Sequence, residues 1–462
     1  MIAPLHTDTL RQLKIGTSWV RGVVGEALTP ELVVDFACAF GTWCDGGVVV
    51  LGCDTRQSSP LLRAAVLSGL ISCGCEVVDL GVCPTPLVSF AVRERGAAGG
   101  ISISGSHNSA RWNALKFLGP DGALLNAVLS EELLDIYHAS AFVQADWQNL
   151  RKTTSAPGVL DRYLDHLVAG LDVEQIRSRG YRVAIDLCNG ACGAAAKAFL
   201  TRLGCSVFPL NDEPSGEFAH APAPSPANMR QLAALMRCLG ADLGASINID
   251  GDRIGFVTHD GTPLSEEYAL PLAARNVLAK QAGPVVTTYS TSSMVDAIAR
   301  EFGQEVIRTS VGEGYVVDRA LAEEAVIAGE GSGGVAVLSI TPTFDALATL
   351  GVVLEEMART GKTLAEMASL LPSRAMRKGE LGAAPDVVYR VVEGFRKKYA
   401  GANPNTADGV RVDWPDAWLH VRASNTEPLL RVIIEAASAE RADELFEQAM
   451  TLARRLAFGV GM

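Results

Sequence analysis

The chain lacks several features, and each absence excludes a class of protein. No run of about 18 apolar residues is long enough to cross a bilayer, although 48% of the 462 residues are hydrophobic. The first residues, MIAPLHTDTLRQLKIGTSW, have neither the basic start nor the long apolar stretch of a signal peptide, so a cytoplasmic protein is expected. Net positive charge is also missing: 40 Lys and Arg stand against 52 Asp and Glu, a formal charge of −12. That balance argues against nucleic acid or an anionic membrane as the main partner. A small anionic substrate stays possible where arginines, lysines and backbone amides gather locally. Finally, no CxxC pair has a second pair to complete a zinc site. The ten cysteines lie between Cys38 and Cys238, singly inside apolar runs such as DFACAF, with Cys73 and Cys75 two apart and Cys188 and Cys192 four apart. Buried free thiols in a reducing compartment are the expected state.

What the chain does contain is a plan written three times, and its length implies several domains. GGVVVLGCDTRQSSPLLRAAVLSGLISCGCEVVDLG reads as an apolar strand, a polar turn, a helix, a Gly-containing stop and a second strand. GYRVAIDLCNGACGAAAKAFLTRLGCSVFPLND and GPVVTTYSTSSMVDAIAREFGQEVIRTSVGEG repeat it. Continuous apolar strands alternating with helices predict parallel sheets covered on both faces. Each unit continues to a third apolar strand, with exits GGISISGSHN, LGASINIDGDR and AVIAGEGSGG. Ligands of open α/β sheets collect at strand carboxyl ends, so the three exits are expected to face one cleft. After LPSRAMRKGELGAAPD the pattern changes to helix, hairpin-like strands and helix, which predicts a smaller α+β domain closing over that cleft.

Four loops carry candidate chemistry. NIDGDRIG offers Asn248, Asp250 and Asp252 at alternate positions on a Gly-containing loop, oxygen ligands suited to Mg²⁺ and phosphate together; a plain turn is the alternative. In SGSHNS, Ser106 precedes His107, with Lys116 ten residues on. Adjacent side chains on an extended chain point apart and no GxSxG elbow occurs, so a hydrolase triad is not indicated. A serine beside a metal loop and basic groups suggests a phosphoryl carrier, and a strand-end cap is the bland alternative. GEGSGG joins Glu330 and Ser332 to glycines that allow close approach, a mix suited to paired sugar hydroxyls unless it is a bare turn. RASNTEPLLR gathers Arg422, Ser424, Asn425 and Thr426, donors suited to a phosphate or to a hydrogen-bonded turn.

With these four loops in this order, the chain resembles the α-D-phosphohexomutase superfamily nearly end to end, from KIGTSWVRGVVG to RASNTEPLLRVIIEA. The resemblance implies three similar α/β domains with mixed, mainly parallel sheets and a smaller C-terminal α+β domain around a central cleft. The expected divisions are 1–153 for the phosphoserine domain, 154–257 for the metal-binding domain, 258–372 for sugar recognition and 373–462 for phosphate binding. SGSHNS corresponds to the family's TASHNP, which makes Ser106 the expected phosphoserine and a metal ligand, with His107 beside it as a candidate acid or base. Asn248, Asp250, Asp252 and Arg253 correspond to DxDxDR, Glu330 and Ser332 to the hydroxyl-binding pair of GExSG, and Arg422 through Thr426, followed by Arg431, to the phosphate loop. Arg21 and Lys116 match positions that assist near the phosphoserine. Three departures stand out: Asn248 for the first metal aspartate, Ser109 for the loop proline, and Gly314 where many relatives carry a basic residue.

The implied reaction is a two-transfer cycle between O6 and O1 of a hexose phosphate through phospho-Ser106 and a bisphosphorylated intermediate. Mg²⁺ is the implied cofactor and a hexose 1,6-bisphosphate the activator. WNALKF, VGE, GEGSGG and DWPDAWLHVRASNTEP look most like phosphoglucosamine mutases, so glucosamine 6-phosphate is the expected substrate. The alternatives are a phosphomannomutase/phosphoglucomutase and, in another class, a non-catalytic sugar-phosphate-binding paralogue. The expected partner is the hexose phosphate alone, without nucleic acid or membrane, and the chain is expected as a monomer or homodimer.

Overall fold

The computed structural model describes residues 13–424 and 429–459. Its first three units share one pattern. In the first, Val48–Cys53 leads through the helix Ser59–Ser72 to Glu76–Val82, then through Thr85–Arg95 to Gly99–Ile103. Val48–Cys53 is the centre, with the second and third strands parallel on either side of it. A fourth strand, Trp112–Leu118, then returns antiparallel beside the third. The second unit builds the same order from Arg182–Asp186, Ser206–Leu210, Leu243–Ile247 and the returning Ile254–Val257. The third uses Val285–Thr288, Val306–Thr309, Ile327–Gly329 and the returning Val335–Val337.

These returns explain why the unusual loops sit where they do. The sequence pattern marks each loop as a strand exit; the structure makes each the tip between a buried parallel strand and its antiparallel return. Gly99–Ile103 and Leu243–Ile247 are buried at every residue. Each is paired on both sides, parallel with the central strand and antiparallel with its return, so the loops that follow leave from inside the sheet rather than from its edge. The first sheet has additions at both edges: Lys14–Ile15 and Trp19–Val23 join beyond the return strand and bring Arg21 to the cleft, while Thr153–Ser155 pairs with Glu76–Val82.

The fourth unit is an antiparallel sheet in the spatial order Ala375–Gly382, Leu429–Ala436, Ala417–Ala423, Val410–Asp413, covered by Pro385–Lys398 and Ala439–Phe458. It has its own core of residues such as Val391, Phe395, Val421, Val432 and Leu445. By contrast, one continuous apolar cluster joins Val88 and Val92 of the first unit to Phe199 and Ile247 of the second and to Leu350 and Leu354 of the third. The fourth unit meets the third through polar pairs: Ser290 Oγ with His420 Nδ1 at 2.8 Å, Val311 N–H donating to Asp408 Oδ2 at 3.0 Å, and Lys378 Nζ to Glu267 Oε1 at 2.9 Å. A polar seam between separately cored bodies is the arrangement that allows domain motion.

All ten cysteines are free and eight are buried; Cys205 is half-buried and Cys238 exposed. No helix among the described residues is long and apolar enough to cross a membrane.

Candidate active site

Ser106 opens the site in a left-handed backbone conformation, φ 48°, which a residue with a Cβ adopts only where its surroundings impose it. The imposing group is Arg56, whose side chain has no exposed surface. Its guanidinium pairs with Asp54 at 3.0 Å and donates to the carbonyls of Ser106 (2.8 Å), Asn108 (2.7 Å), Ser109 (2.6 Å) and Trp112 (2.9 Å). Asp54 in turn accepts from Ser104 Oγ, which accepts from the Ser106 N–H. Gly105 is required beneath this clamp, because a Cβ there would lie 2.8 Å from Arg56 Cζ. The carbonyl of Ser109 is held by the clamp, so the stiffness a proline would give at this position comes from a distant arginine. Arg56 was missed in the sequence; its signal was the DTR at the exit of Val48–Cys53, unremarkable without the fold.

Behind Ser106 lies a buried ionic centre. Lys116 Nζ stands 2.7 Å from both Asp250 Oδ2 and Asp252 Oδ2, and Ser106 Oγ is 3.4 Å from each oxygen of Asp252. Burial opposes charge on Lys116, but Asp250 and Asp252 outweigh it and hold the ammonium above its ordinary value. The loop carrying the carboxylates is pinned at a three-unit junction: Thr85 N–H donates to Asp250 O and Ala346 N–H to Gly251 O.

Asn248 occupies this centre differently from the sequence-based expectation. Its Oδ1 accepts from the backbone N–H groups of Asp252 and Arg253, both at 3.1 Å. Those two donors can face only an oxygen, so the amide nitrogen points inward, donating to Asp250 Oδ1 at 2.8 Å, Asp252 Oδ1 at 2.6 Å and Ser106 Oγ at 3.3 Å. The expected metal ligand Asn248 thus has its oxygen engaged by the turn and its amide nitrogen facing the two aspartates. The two aspartates do converge on one cation position, with the Lys116 ammonium as its stand-in, and the donor set fits a hard cation completed by phosphate oxygens. Among the described residues no cluster of three or more His, Cys, Asp or Glu side chains forms a fuller cage.

His107 beside Ser106 faces cations. Arg253, then burial and Arg21, push its imidazole well below the ordinary range, and its Nδ1 has no hydrogen-bond partner among the described residues. A ring kept neutral in this way carries no imidazolium proton at neutral pH and presents a basic nitrogen instead. Arg21 donates to Asn108 Oδ1 at 2.6 Å and stacks over Trp19. Arg253 Nε lies 3.8 Å from Asp252 Oδ1.

These groups face a cleft of about 450 Å³ lined by Arg21, Ser106, His107, Lys116, Asp252 and Arg253 from the first two units, Glu330 and Ser332 from the third, and Arg422, Ser424 and Arg431 from the fourth. Asn248 and Asp250 are buried behind that lining. Glu330 accepts from Gly312 N–H at 2.6 Å and Ser332 Oγ at 3.2 Å, which ties the two recognition loops of the third unit together. Arg422 Nε is oriented by both oxygens of Asp408, at 3.1 and 3.0 Å, and Arg431 lies 3.5 Å from Glu380. Asn425 and Thr426 lie outside the described residues. A second residue missed in the sequence, Glu313, also lines the cleft. Next to it, Gly314 has Leu125 O 3.2 Å from where a Cβ would stand, so a basic side chain in its place would need the backbone to give. A larger cavity of about 590 Å³, beside Arg308, Arg411 and Trp418, contains none of these loops.

A serine in an imposed conformation, two carboxylates around a cation, and arginines across one cleft make this a phosphoryl-transfer enzyme built from four units. The models of the phosphoglucomutase/phosphomannomutase α/β/α domains I, II and III match residues 12–144, 161–261 and 265–374, and the C-terminal domain model matches 375–452. A phosphoglucomutase/phosphomannomutase of Thermococcus kodakarensis is 34% identical over 448 residues, 95% of this chain and 97% of that protein. A "Probable phosphoglucosamine mutase" of Methanopyrus kandleri is 34% identical over 446 residues, with coverage of 95% and 97%. A solved phosphoglucomutase/phosphomannomutase family protein from Burkholderia thailandensis superposes with a TM-score of 0.83 at 27% identity, covering 99% of each chain. The chain belongs to the phosphoglucomutase/phosphomannomutase family and is a phosphohexomutase, an intramolecular phosphotransferase of the isomerase class.

Proposed function

We propose that the chain interconverts glucosamine 6-phosphate and glucosamine 1-phosphate through phospho-Ser106. The observation that carries the reading is Ser106 itself: clamped by Arg56, backed by Lys116 and Asp252, and open to a cleft rimmed by Arg422 and Arg431. Glucosamine as the sugar is supported by relatives named probable phosphoglucosamine mutase from Methanopyrus kandleri and Pyrococcus abyssi. The Thermococcus relative's name supports phosphoglucomutase/phosphomannomutase activity as the second reading.

In this mechanism Arg422, Ser424 and Arg431 hold the substrate's existing phosphate, while Glu330 and Ser332 orient the ring hydroxyls. The far hydroxyl then meets phospho-Ser106 in line, and positioning and charge neutralisation supply most of the acceleration. Lys116 and Arg253 balance charge on the transferred group and on Ser106 Oγ, and Arg21 steadies Asn108 beside them. The bisphosphorylated sugar turns over within the cleft and returns its other phosphate to Ser106. A hexose 1,6-bisphosphate activates by phosphorylating a bare Ser106. Mg²⁺ would be held by Asp250, Asp252 and the serine phosphate, where it supplies further charge neutralisation.

Two measurements check this reading. Purified protein with a trace of hexose 1,6-bisphosphate should gain one phosphate by intact mass and turn over glucosamine phosphate faster than mannose or glucose phosphates; Ser106→Ala should lose both. A bare Ser106 after such treatment would instead favour the binding paralogue. Asn248→Asp keeps the acceptor for the two backbone N–H groups but replaces the inward NH₂ with a carboxylate oxygen. Titration calorimetry with Mn²⁺ should show binding tightened roughly tenfold or more, ~1.4 kcal/mol per factor of ten. Equal affinities would mean that the amide does not face the cation.

A further inference from the structure

The phosphotransfer reading leaves one role unfilled. The attacking hydroxyl must lose a proton and the departing sugar oxygen must regain one, and His107, held neutral chiefly by Arg253, carries no imidazolium proton to return. Glu313 begins the helix Glu313–Ala322, directly after the VG turn that the third unit presents to the cleft. Its two hydrogen bonds fall on one oxygen: Thr343 Oγ1 donates to Oε1 at 2.6 Å and Phe344 N–H donates to Oε1 at 2.8 Å. Oε2 has no hydrogen-bond partner among the described residues and keeps accessible surface, so it is the oxygen that meets the cleft.

Resting on that reading, we infer that Glu313 is the general acid/base of the reaction, its Oε2 taking the proton of the attacking sugar hydroxyl and returning it in the second transfer. In the first transfer the sugar oxygen bonds to phosphorus as its proton passes to Glu313. The bond from phosphorus to Ser106 Oγ breaks with its electron pair on Oγ, where the Lys116 ammonium balances the charge. In the second transfer Ser106 Oγ attacks the other phosphate, and the sugar oxygen that leaves takes the proton from Glu313. No outside acid or base is consumed.

Electrostatics agree with the geometry. The charged groups facing Glu313 are Lys116 on the strand Trp112–Leu118 and Asp252 on the second unit's loop. Glu330 stands one residue away, through its bond to Gly312 N–H. Burial is the largest influence and raises the Glu313 carboxyl; Lys116 opposes it, Asp252 adds to it, and the group settles at about 7. A proton-transfer group works best when its pKa lies near the operating pH. The raised value also makes Glu313 a drain on stability: the folded chain holds its proton up to about 7, while the unfolded carboxylate releases it near 4.5, so its contribution is full below 4.5 and lost as pH rises through 7.

The test compares Glu313→Gln with the parent and with Glu313→Asp. Glutamine keeps an acceptor for Thr343 and Phe344, so melting temperature at pH 5 should change little, whereas kcat should fall on the order of 10²- to 10⁴-fold with KM nearly unchanged. The parent's kcat/KM should decline as pH falls through about 7, and the ratio of parent to Gln variant should carry that limb alone, since the substrate phosphate titrates identically in both. Aspartate should restore part of kcat with a displaced limb. An unaltered limb in the Gln variant overturns the assignment, as does a loss confined to amino-sugar preference or to KM. Intact mass on the same samples separates the failures. Ser106 phosphorylated with the Gln variant fully active refutes Glu313 only; Ser106 never phosphorylated in the parent refutes the phosphotransfer reading and this inference with it.

Discussion

Lys116→Met is expected to lower kcat by roughly 10³-fold and to make the fold depend on divalent cation. Methionine matches the length of the lysine stem and removes only the ammonium that lies 2.7 Å from both Asp250 and Asp252. Two buried carboxylates would then face one another with their shared cation gone, a change that costs about 3–5 kcal/mol where a buried pair is broken. The catalytic loss follows from the same geometry, because the cation that balances Ser106 Oγ disappears with it. A divalent ion can take the vacated position between the aspartates. Thermal unfolding should therefore show the variant stabilised by Mn²⁺ and destabilised by EDTA to a much greater extent than the parent. Melting curves insensitive to both reagents, together with normal turnover, would sink the idea that Lys116 is the cation around which this centre is organised.

Arg56→Lys should be nearly as damaging, although it touches no substrate and preserves charge. The planar guanidinium serves four carbonyls and Asp54 from one fully buried position. An ammonium has three donors on a single atom and cannot span that fan. Each buried carbonyl left without a donor costs about 1–3 kcal/mol, and the loop that holds Ser106 at φ 48° loses what keeps it there. We expect kcat to drop about 10²-fold, the scale of a 1 Å misplacement, with the melting temperature several degrees lower. Amide exchange should accelerate across residues 104–112. Exchange as slow as in the parent would mean that the loop holds its shape by other means and that Arg56 is only a core ion pair.

The two variants also mark where sequence reasoning stopped. Its four loops were legible because each is local: a run of apolar residues, then an abrupt cluster of polar ones, within about ten positions. Lys116 was found as a residue near the serine, but its partner Asp250 is 134 positions away and only the junction of two units brings them together. Arg56 lies 50 positions before the carbonyl of Ser106 that it binds. Asn248 was legible as an oxygen-bearing side chain and illegible as to which end faces inward, since an amide carries donor and acceptor alike and its neighbours choose between them. The state of His107 was equally hidden, because the cations that suppress its charge come from other loops.

By itself the sequence determined the three-fold repeat of strand and helix, the α+β character of the last unit and the four polar loops that reach the cleft. Those properties follow from apolar periodicity, glycine stops and short motifs, all of which act over a few residues. Tertiary structure alone decided that the three loops are hairpin tips, that a lysine balances the aspartates, that an amide nitrogen points at the serine, and that Glu313 keeps one oxygen open to the cleft. Each of these depends on groups far apart in the chain meeting where water is excluded, and there the partner a group meets governs its charge and its orientation.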